Sequence, residues 1–326
     1  MTLPPNDLPT VRKALETALG TARLDACQPL PGGLSGASLF KIRVGGICYL
    51  LRLEPERDAV RDPYRGYRCL ALASEACLAP RVRYADPDAG VLITDFVEVS
   101  GPTDGRPSRR EPLAVELGQT LRALHAISGF PLLIDYLDGL AELVGRAARS
   151  GVLPKGAFAA WPALYTACRR LEPQLVASHN DLNPGNILDD GRRLWLIDWE
   201  AAFRADRYVD LAAVANVYAP DAEGEARLLE TYFGRPADRS ERARLYLFRQ
   251  VNHLFHAAIF MVGVAGEARA TSLEGPSLEA LHQRLATGEA VFATPQGRLD
   301  YALARLRTAT ANIESAAFAE AAGLAA

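Results

Sequence analysis

Ser178-His-Asn-Asp-Leu-Asn-Pro-Gly-Asn-Ile-Leu-Asp-Asp-Gly-Arg-Arg-Leu-Trp-Leu-Ile-Asp-Trp-Glu200 is the stretch whose reading decides the fold. Within it, Asn183-Pro-Gly-Asn186 suits a type II turn, because Pro184 presets φ at the second position and Gly185 accepts the positive φ of the third. Ile187-Leu188 and Leu194-Trp-Leu-Ile197 flank Asp189-Asp-Gly-Arg-Arg193, the pattern of a β-hairpin. With the loop centred near Gly191 and Arg192, Asn186 falls opposite Ile197 or Asp198. Two oxygen-bearing side chains then stand together at the open end of the ribbon. Such a pair suits Mg²⁺, which takes a few hard oxygen ligands from protein and completes its octahedron with water and phosphate oxygens. Asp181, upstream across the turn, reaches the same space, where a carboxylate can orient an attacking hydroxyl and accept its proton. Alone, Asp181 and Asp198 read equally well as surface loop acids and Asn186 as a turn former. The combined spacing, His-x-Asp-x-x-x-x-Asn followed by an apolar strand ending in Asp, points to chemistry.

Outward from this segment the chain divides by pattern. Leu8, Val11, Leu15 and Leu19 recur at helical spacing, with Gly20 placed to end the helix. Leu39 to Val44 alternates apolar with basic residues, Gly45-Gly46 supplies a two-residue turn, and Ile47 to Leu53 runs back as the second strand of a hairpin. A helix is expected over 66–79, strands over 82–84 and 91–97, and a turn over 86–90. From Pro112 onward Leu113, Leu117, Leu121 and Leu124 set a helical period, and the remainder is mainly helical apart from the hairpin above. The pattern is α+β in two lobes, 1–98 and 99–326, joined near Glu98 to Gly105. Clefts between lobes commonly hold ligands.

Composition narrows the function classes. The chain has 326 residues, 49% apolar and 23% charged, which suits a packed globular protein and excludes a disordered or collagen-like one. A net charge of −3 supplies no positive field for a nucleic-acid backbone. Lys13, Lys41 and Lys155 are the only lysines, so almost any cation on a phosphate must be Arg. The five cysteines are odd in number and form no C-x-x-C pair, which fits a reducing compartment. The longest apolar run, Ala257 to Gly266, is far short of the roughly 18 residues that span a bilayer. The opening Met-Thr-Leu-Pro-Pro-Asn-Asp lacks the regions of a secretory signal. A cytoplasmic protein with neither membrane nor nucleic-acid partners is expected.

His179-Asn-Asp181-Leu-Asn-Pro-Gly-Asn186 resembles the kinase catalytic loop, and Ile197-Asp198-Trp199-Glu200 stands where kinases keep a metal-binding aspartate. With Leu30-Pro-Gly-Gly-Leu-Ser35, Leu50-Leu-Arg52, Leu121-Arg-Ala-Leu-His125 and Tyr208-Val-Asp-Leu-Ala212 in the same order, the chain is similar to the aminoglycoside phosphotransferase and choline kinase superfamily, nearest to choline/ethanolamine kinase-like members. That resemblance implies a protein-kinase-like fold with a small antiparallel-sheet N-lobe and a larger, mainly helical C-lobe. It implies that Asp181 is the catalytic base and that Asn186 and Asp198 hold Mg²⁺. Arg52 would contact ATP phosphates, Gly32, Gly33, Ser35 and Gly36 would approach them through backbone and hydroxyl, and Asp95 to Val97 would form the adenine hinge. His179 and Asp210 would support the catalytic loop, although Asp210 serves equally well as a cap for the helix after it. Alternation on the strand independently sets Arg52 opposite Tyr49, Leu51 and Leu53. Kinases pair the strand cation with a Glu on the next helix; the corresponding place here falls near Gly66.

The expected activity is transfer of the γ-phosphoryl group of ATP, with Mg²⁺, to the hydroxyl of a small molecule. An amino alcohol such as choline or ethanolamine comes first as acceptor, followed by thiamine, an aminoglycoside or another sugar-like alcohol. A catalytically silent nucleotide-binding regulator is the alternative from another class. No Asp-Phe-Gly or Ala-Pro-Glu follows the metal-binding strand, which argues against a protein kinase. Trp161, Trp199, Tyr208, Tyr218 and Phe255 could build a cage for a quaternary ammonium or simply fill the core. Oligomeric state stays open.

Overall fold

The computed structural model describes residues 8–31, 36–54, 62–100 and 110–325. The chain forms two compact units, one of residues 1–132 and 176–204, the other of residues 133–175 and 205–326. The catalytic-loop segment therefore belongs to the same unit as the N-terminal sheet.

The first unit is built on five antiparallel strands, β1 (Ala26–Leu30), β2 (Ser38–Val44), β3 (Ile47–Leu53), β4 (Val82–Asp86) and β5 (Val91–Asp95), in the order β1-β2-β3-β5-β4. Gly45 and Gly46 both take positive φ, 58° and 80°, as a tight hairpin turn between twisted strands requires. Helix α1 (Leu8–Leu19) lays Val11, Ala14 and Leu15 against Ile42, Val44, Tyr49, Leu51, Leu53, Val91 and Ile93 of the sheet. One face of β3 is thereby committed to the core, and alternation turns Leu50 and Arg52 to the other face.

Helix α2 (Pro63–Glu75) starts three residues earlier than the apolar period suggests. The reason is local: Asp62 accepts the Tyr64 N–H and Pro63 occupies the first helical position. Strand β1 has no period-two signal in Ala-Cys-Gln-Pro-Leu; it exists because β2 offers an edge, pairing Cys27 with Ile42 and Pro29 with Phe40. Helix α3 (Arg110–His125) and the hairpin of β7 (Ile187–Asp189) and β8 (Leu194–Leu196) complete this unit's main elements, and β6 (Leu175–Ser178) leads into the loop before the hairpin.

The second unit is helical. Helices α4 (Tyr136–Arg149), α5 (Trp161–Arg169), α6 (Arg207–Tyr218), α7 (Ala222–Phe233), α8 (Arg239–Gly263), α9 (Leu278–Ala286), α10 (Pro295–Ile313) and α11 (Ala316–Leu324) make it up, with β9 (Phe203–Asp206) leading into α6. The 25-residue α8 is its axis; α4, α5, α6, α10 and α11 all pack on it. Its start is fixed by a capping box in which Asp238 and Glu241 satisfy each other's backbone N–H. Among the described residues no helix is long and apolar enough to cross a membrane.

Candidate active site

The hairpin resolves the register left open by its sequence: Ile187 pairs Leu196, Leu188 pairs Trp195 and Asp189 pairs Leu194. Asn186 therefore stands opposite Ile197, whose N–H donates to the Asn186 carbonyl at 3.0 Å, and Asp198 lies one residue beyond. The turn before the strand is a 3₁₀ turn over Pro184–Asn186 and not type II. Asn183 explains the difference: its Oδ1 accepts the Gly185 N–H at 2.9 Å and its carbonyl accepts the Asn186 N–H at 3.0 Å, which winds the segment helically.

Asp181 is held by both asparagines. Asn183 Nδ2 donates to Oδ1 at 3.1 Å, and Asn186 Nδ2 donates to Oδ2 at 3.0 Å and to the Asp181 carbonyl at 2.8 Å. Both hydrogens of the Asn186 amide thus point at Asp181, which leaves the Asn186 oxygen as its ligating end. Burial raises the Asp181 carboxyl to about 6, assisted by the charge of Asp198 and opposed by His179 and the two asparagines. A carboxylate so placed is a competent base near neutral pH.

The loop and the metal-side strand are laced together. His179, fully buried, sets Nε2 at 2.9 Å from the Ile197 carbonyl, so Nε2 carries a proton. Its ring lies 4.6 Å from that of Trp199. Asn180, at φ 64°, donates to the carbonyls of Ala201 and Phe203 at 3.0 and 3.3 Å. Asp198 also takes a left-handed conformation, φ 64° and ψ 70°, unusual for a residue with a side chain. Such strain is a feature of functional sites.

Arg52 reaches this carboxylate. Its Nη1 donates to Asp198 Oδ1 at 3.0 Å, its Nε donates to Glu54 Oε1 at 2.7 Å, and Nη2 pairs with Glu200. Burial works against the guanidinium charge, but Asp198 and Glu54 outweigh it and raise the pKa. Arg65 of α2 donates to the Glu200 carbonyl at 2.6 Å, and the Leu196 N–H donates to the Leu78 carbonyl at 2.8 Å, so the segment after α2 also anchors the hairpin. Leu50, Tyr67, Leu70, Thr94 and Trp199 wall a cavity onto which Arg52, Glu54, Asp198 and Glu200 open.

A family model described as the phosphotransferase enzyme family matches residues 26–248, more than half of the chain and all of this site. The chain belongs to the phosphotransferase enzyme family. A thiamine kinase of Escherichia coli (strain SMS-3-5 / SECEC) is 28% identical over 227 residues, covering 68% of this chain and 75% of that one. Among solved structures, a choline/ethanolamine kinase family protein from Mesorhizobium loti superposes with a TM-score of 0.70 at 19% identity, covering 97% of this phosphotransferase and 98% of that chain. The choline kinase LicA from Streptococcus pneumoniae gives 0.66 at 14% identity, covering 94% and 98%. The fold is the α+β, protein-kinase-like one, and the protein is a phosphotransferase.

The phosphotransferase's residues meet the demands of Mg²⁺ in one observable respect. Asp198 and Glu200 both turn their carboxylates on a single cation, the Arg52 guanidinium, which stands in for a positive ion between them. With the Asn186 oxygen the donors are all hard oxygens, the set Mg²⁺ accepts when phosphates and water supply the rest. Among the described residues no three His, Cys, Asp or Glu side chains cluster as a ready-made metal site.

The remaining expected positions are distributed as follows. Gly32, Gly33 and Ser35 lie outside the described residues, and Gly36 takes φ 79° just before β2. Asp95 ends β5; its N–H donates to the Arg81 carbonyl at 2.9 Å and its carboxylate is gripped by Arg83, and Val97 follows beyond the end of the strand. Asp210 is fully buried in the first turn of α6, but the cap of that helix is Asp206, which accepts the Tyr208 N–H at 3.0 Å. Of the five aromatic residues, Trp199, Tyr208 and Tyr218 are core. Phe255 is half-buried beside Tyr136, and Trp161 is half-buried beside Tyr165. Glu54, Asn180, Asn183 and Glu200 were not singled out by sequence; Glu200 carried a signal in Ile-Asp-Trp-Glu, and Glu54 one in its i, i+2 spacing from Arg52.

Proposed function

We propose that this phosphotransferase moves the γ-phosphoryl group of ATP to the hydroxyl of a small-molecule alcohol. The observation that carries the reading is the hold of Asn186 on Asp181, with Asp198 one residue past Asn186's strand partner. Asp181 orients the acceptor hydroxyl and takes its proton as the oxygen attacks; its raised pKa and its two amide donors keep it a base fixed in one pose. Asn186 and Asp198, with Glu200 beside them, hold Mg²⁺, which when bound neutralises phosphate charge and orients the transferring group. Arg52 supplies the cation for the phosphates, and Gly32, Gly33, Ser35 and Gly36 the close backbone approach. The backbone from Asp95 to Val97 receives the adenine. His179 fixes the loop through its bond to the Ile197 carbonyl, and Asp210 braces the same loop. Functionally, residues 1–98 form the nucleotide-binding lobe and 99–326 the lobe of the catalytic loop and acceptor helices. Positioning and charge neutralisation are what phosphoryl transfer chiefly asks of a protein.

The acceptor we infer is a small primary alcohol that also carries a cationic nitrogen. Choline and ethanolamine hold the two groups two carbons apart, and thiamine, the substrate named for the Escherichia coli relative, carries its hydroxyethyl arm on a carbon of a cationic thiazolium ring. The test is Mg²⁺-dependent ADP release from ATP against choline, ethanolamine, thiamine, an aminoglycoside and a neutral sugar. Stimulation by one of the first three is expected. ATP binding with no stimulation by any alcohol would move the reading to a silent nucleotide-binding regulator, and stimulation by the sugar alone would overturn the cationic acceptor.

A further inference from the structure

Arg52 meets three carboxylates, and they are not equivalent. Asp198 and Glu200 sit on the loop after the hairpin, with side chains 33% and 27% exposed, whereas Glu54 is as buried as Arg52 itself, both at 10%. Among the described residues no other ion pair has both partners so buried. Glu54 follows Arg52 at i, i+2 at the end of β3, which puts both side chains on the face turned away from α1.

The backbone that carries this carboxylate is itself held in place. The Glu54 N–H donates to the Gly90 carbonyl at 2.8 Å in the turn between β4 and β5. Gly90 has φ +65°, and a Cβ there would stand 3.2 Å from the Glu54 Cβ, so the strand end and the turn fit closely only with glycine. Tyr67 of α2 lines the same cavity; burial first, and the Glu54 charge next, keep its phenol protonated. Helix α2 offers no acid at this point. Gly66 faces the Arg52 cavity with no side chain, and its nearest neighbours are backbone atoms of Trp199 and Glu200.

We propose that Glu54 is the positioning residue for Arg52: it grips the guanidinium from the same strand, so that the cation keeps its place when Asp198 and Glu200 turn to a metal. The inference rests on the phosphotransferase reading above, in which Arg52 serves the nucleotide phosphates. Charged hydrogen bonds from Nε at 2.7 Å and, more weakly, from Nη2 at 3.5 Å fix the plane of the guanidinium against Glu54, with Nη1 directed at Asp198 and Nη2 shared with Glu200. Because cation and counter-ion share one strand, their pairing does not depend on where α2 sits. Glu54 acts only through Arg52, and its own carboxylate takes no part in the transfer.

The test is a double-mutant cycle on nucleotide binding, read by calorimetric titration of Mg·ADP into the full chain. Glu54→Gln keeps the shape and removes the charge; it should weaken Mg·ADP by about tenfold. In an Arg52→Met background the same change should alter affinity by less than about twofold, because the residue through which Glu54 works is gone. Glu54→Asp, which keeps the charge, should recover part of the loss and serves for the same cycle should the Gln variant fail to fold. Wild-type affinity in Glu54→Gln, or an equal loss with and without Arg52, overturns the proposal while leaving the nucleotide reading intact. Failure of the wild type to bind Mg·ADP, or full binding by Arg52→Met, overturns that reading and this proposal with it.

Discussion

Three arginines are buried among the described residues, Arg52 and Arg65 in the sheet unit and Arg305 in the helical unit, and the surroundings of Arg52 and Arg305, at 8% and 2% exposure, are opposite. Arg52 faces Glu54, Asp198 and Glu200, an excess of negative charge over the one cation. Among the described residues no carboxylate pairs with Arg305. Its Nε and Nη2 donate to the Tyr301 hydroxyl at 3.0 and 2.6 Å, and its Nη1 donates to His253 Nδ1 at 3.0 Å. An acid-rich centre with one cation can exchange that cation for others, because its carboxylates are already oriented for positive charge. A cation tied to neutral acceptors can exchange nothing without leaving them orphaned, at roughly 1–3 kcal/mol each. The first arrangement suits ligand binding and the second suits holding α8 against α10.

The largest expected effect lies at the acid-rich centre. Asp181→Asn keeps the shape and both asparagine neighbours but cannot accept a proton, so turnover should fall by about 10²–10⁴-fold while Mg·ADP affinity stays within about threefold. Steady-state kinetics and calorimetry on the same preparation check the pair of outcomes. A variant with near wild-type turnover would remove Asp181 from the chemistry.

Exchanging the two arginines for methionine separates their roles next. Arg52→Met should lower kcat/KM by about a hundredfold, since a charged contact to phosphate is lost. Arg305→Met fills much the same volume but strands the Tyr301 hydroxyl and His253 Nδ1; it should cost about 2 kcal/mol of stability in urea unfolding and leave kcat/KM within about threefold. Loss of activity in Arg305→Met at unchanged stability would break the contrast.

That contrast also shows how far sequence reading reaches. The Asp181, Asn186 and Asp198 constellation was legible because one continuous segment encodes it: turn, strand, loop and strand fix their mutual placement to within one residue of register. The β2–β3 hairpin and α1 were legible for the same reason, a local period closed by Gly45-Gly46 and Gly20. Strand β1 was not, because its pairing partner and not its own alternation makes it a strand. The type II turn failed because the Asn183 side chain competes for the Gly185 N–H, a choice that φ preferences alone do not register. Glu54 escaped because its meaning depends on Arg52, Gly90 and Tyr67 arriving from three places in the chain. Arg305 and His253, far apart in sequence and joined across two helices, carry no local pattern at all.

The two centres respond to pH with opposite sign. Burial, then the charge of Arg305, holds His253 well below the ordinary histidine range; Arg249 and His256 on α8 and His282 on α9 add to this. The folded state therefore keeps His253 neutral where the unfolded chain protonates it. Its contribution to stability is complete above about pH 6.5 and declines as pH falls, by up to about 1.4 kcal/mol per pH unit. His256 is pushed down to about 3 by burial and Arg305 and acts in the same direction. Asp181, raised to about 6, contributes the reverse: stability present below the ordinary carboxylate range and lost as pH rises through about 6. Urea midpoints at pH 7 and pH 5 should show His253→Gln flattening the acid loss and Asp181→Asn steepening it. Equal slopes in all three proteins would mean that neither buried group titrates as its surroundings dictate.

The smallest effect tests the support of Arg52 at its furthest point. Gly90→Ala adds one methyl at φ +65°, where an L-residue costs about 1 kcal/mol, and sets it 3.2 Å from the Glu54 Cβ. The β4–β5 turn or the end of β3 must then shift by a few tenths of an ångström. A shift at Glu54 moves the anchor of the guanidinium, so Mg·ADP should weaken by about twofold to threefold beside the small stability loss. Gly45→Ala is the matched control: φ is +58°, nothing lies within 4 Å of the added methyl, and the residue joins the same sheet at a turn that touches no part of the site. If both variants lose stability alike but only Gly90→Ala loses nucleotide affinity, the path from turn to Glu54 to Arg52 is mechanical. If neither loses affinity, the grip on Arg52 tolerates displacement of its backbone, and the rigidity argued for that pair must come from the carboxylate alone.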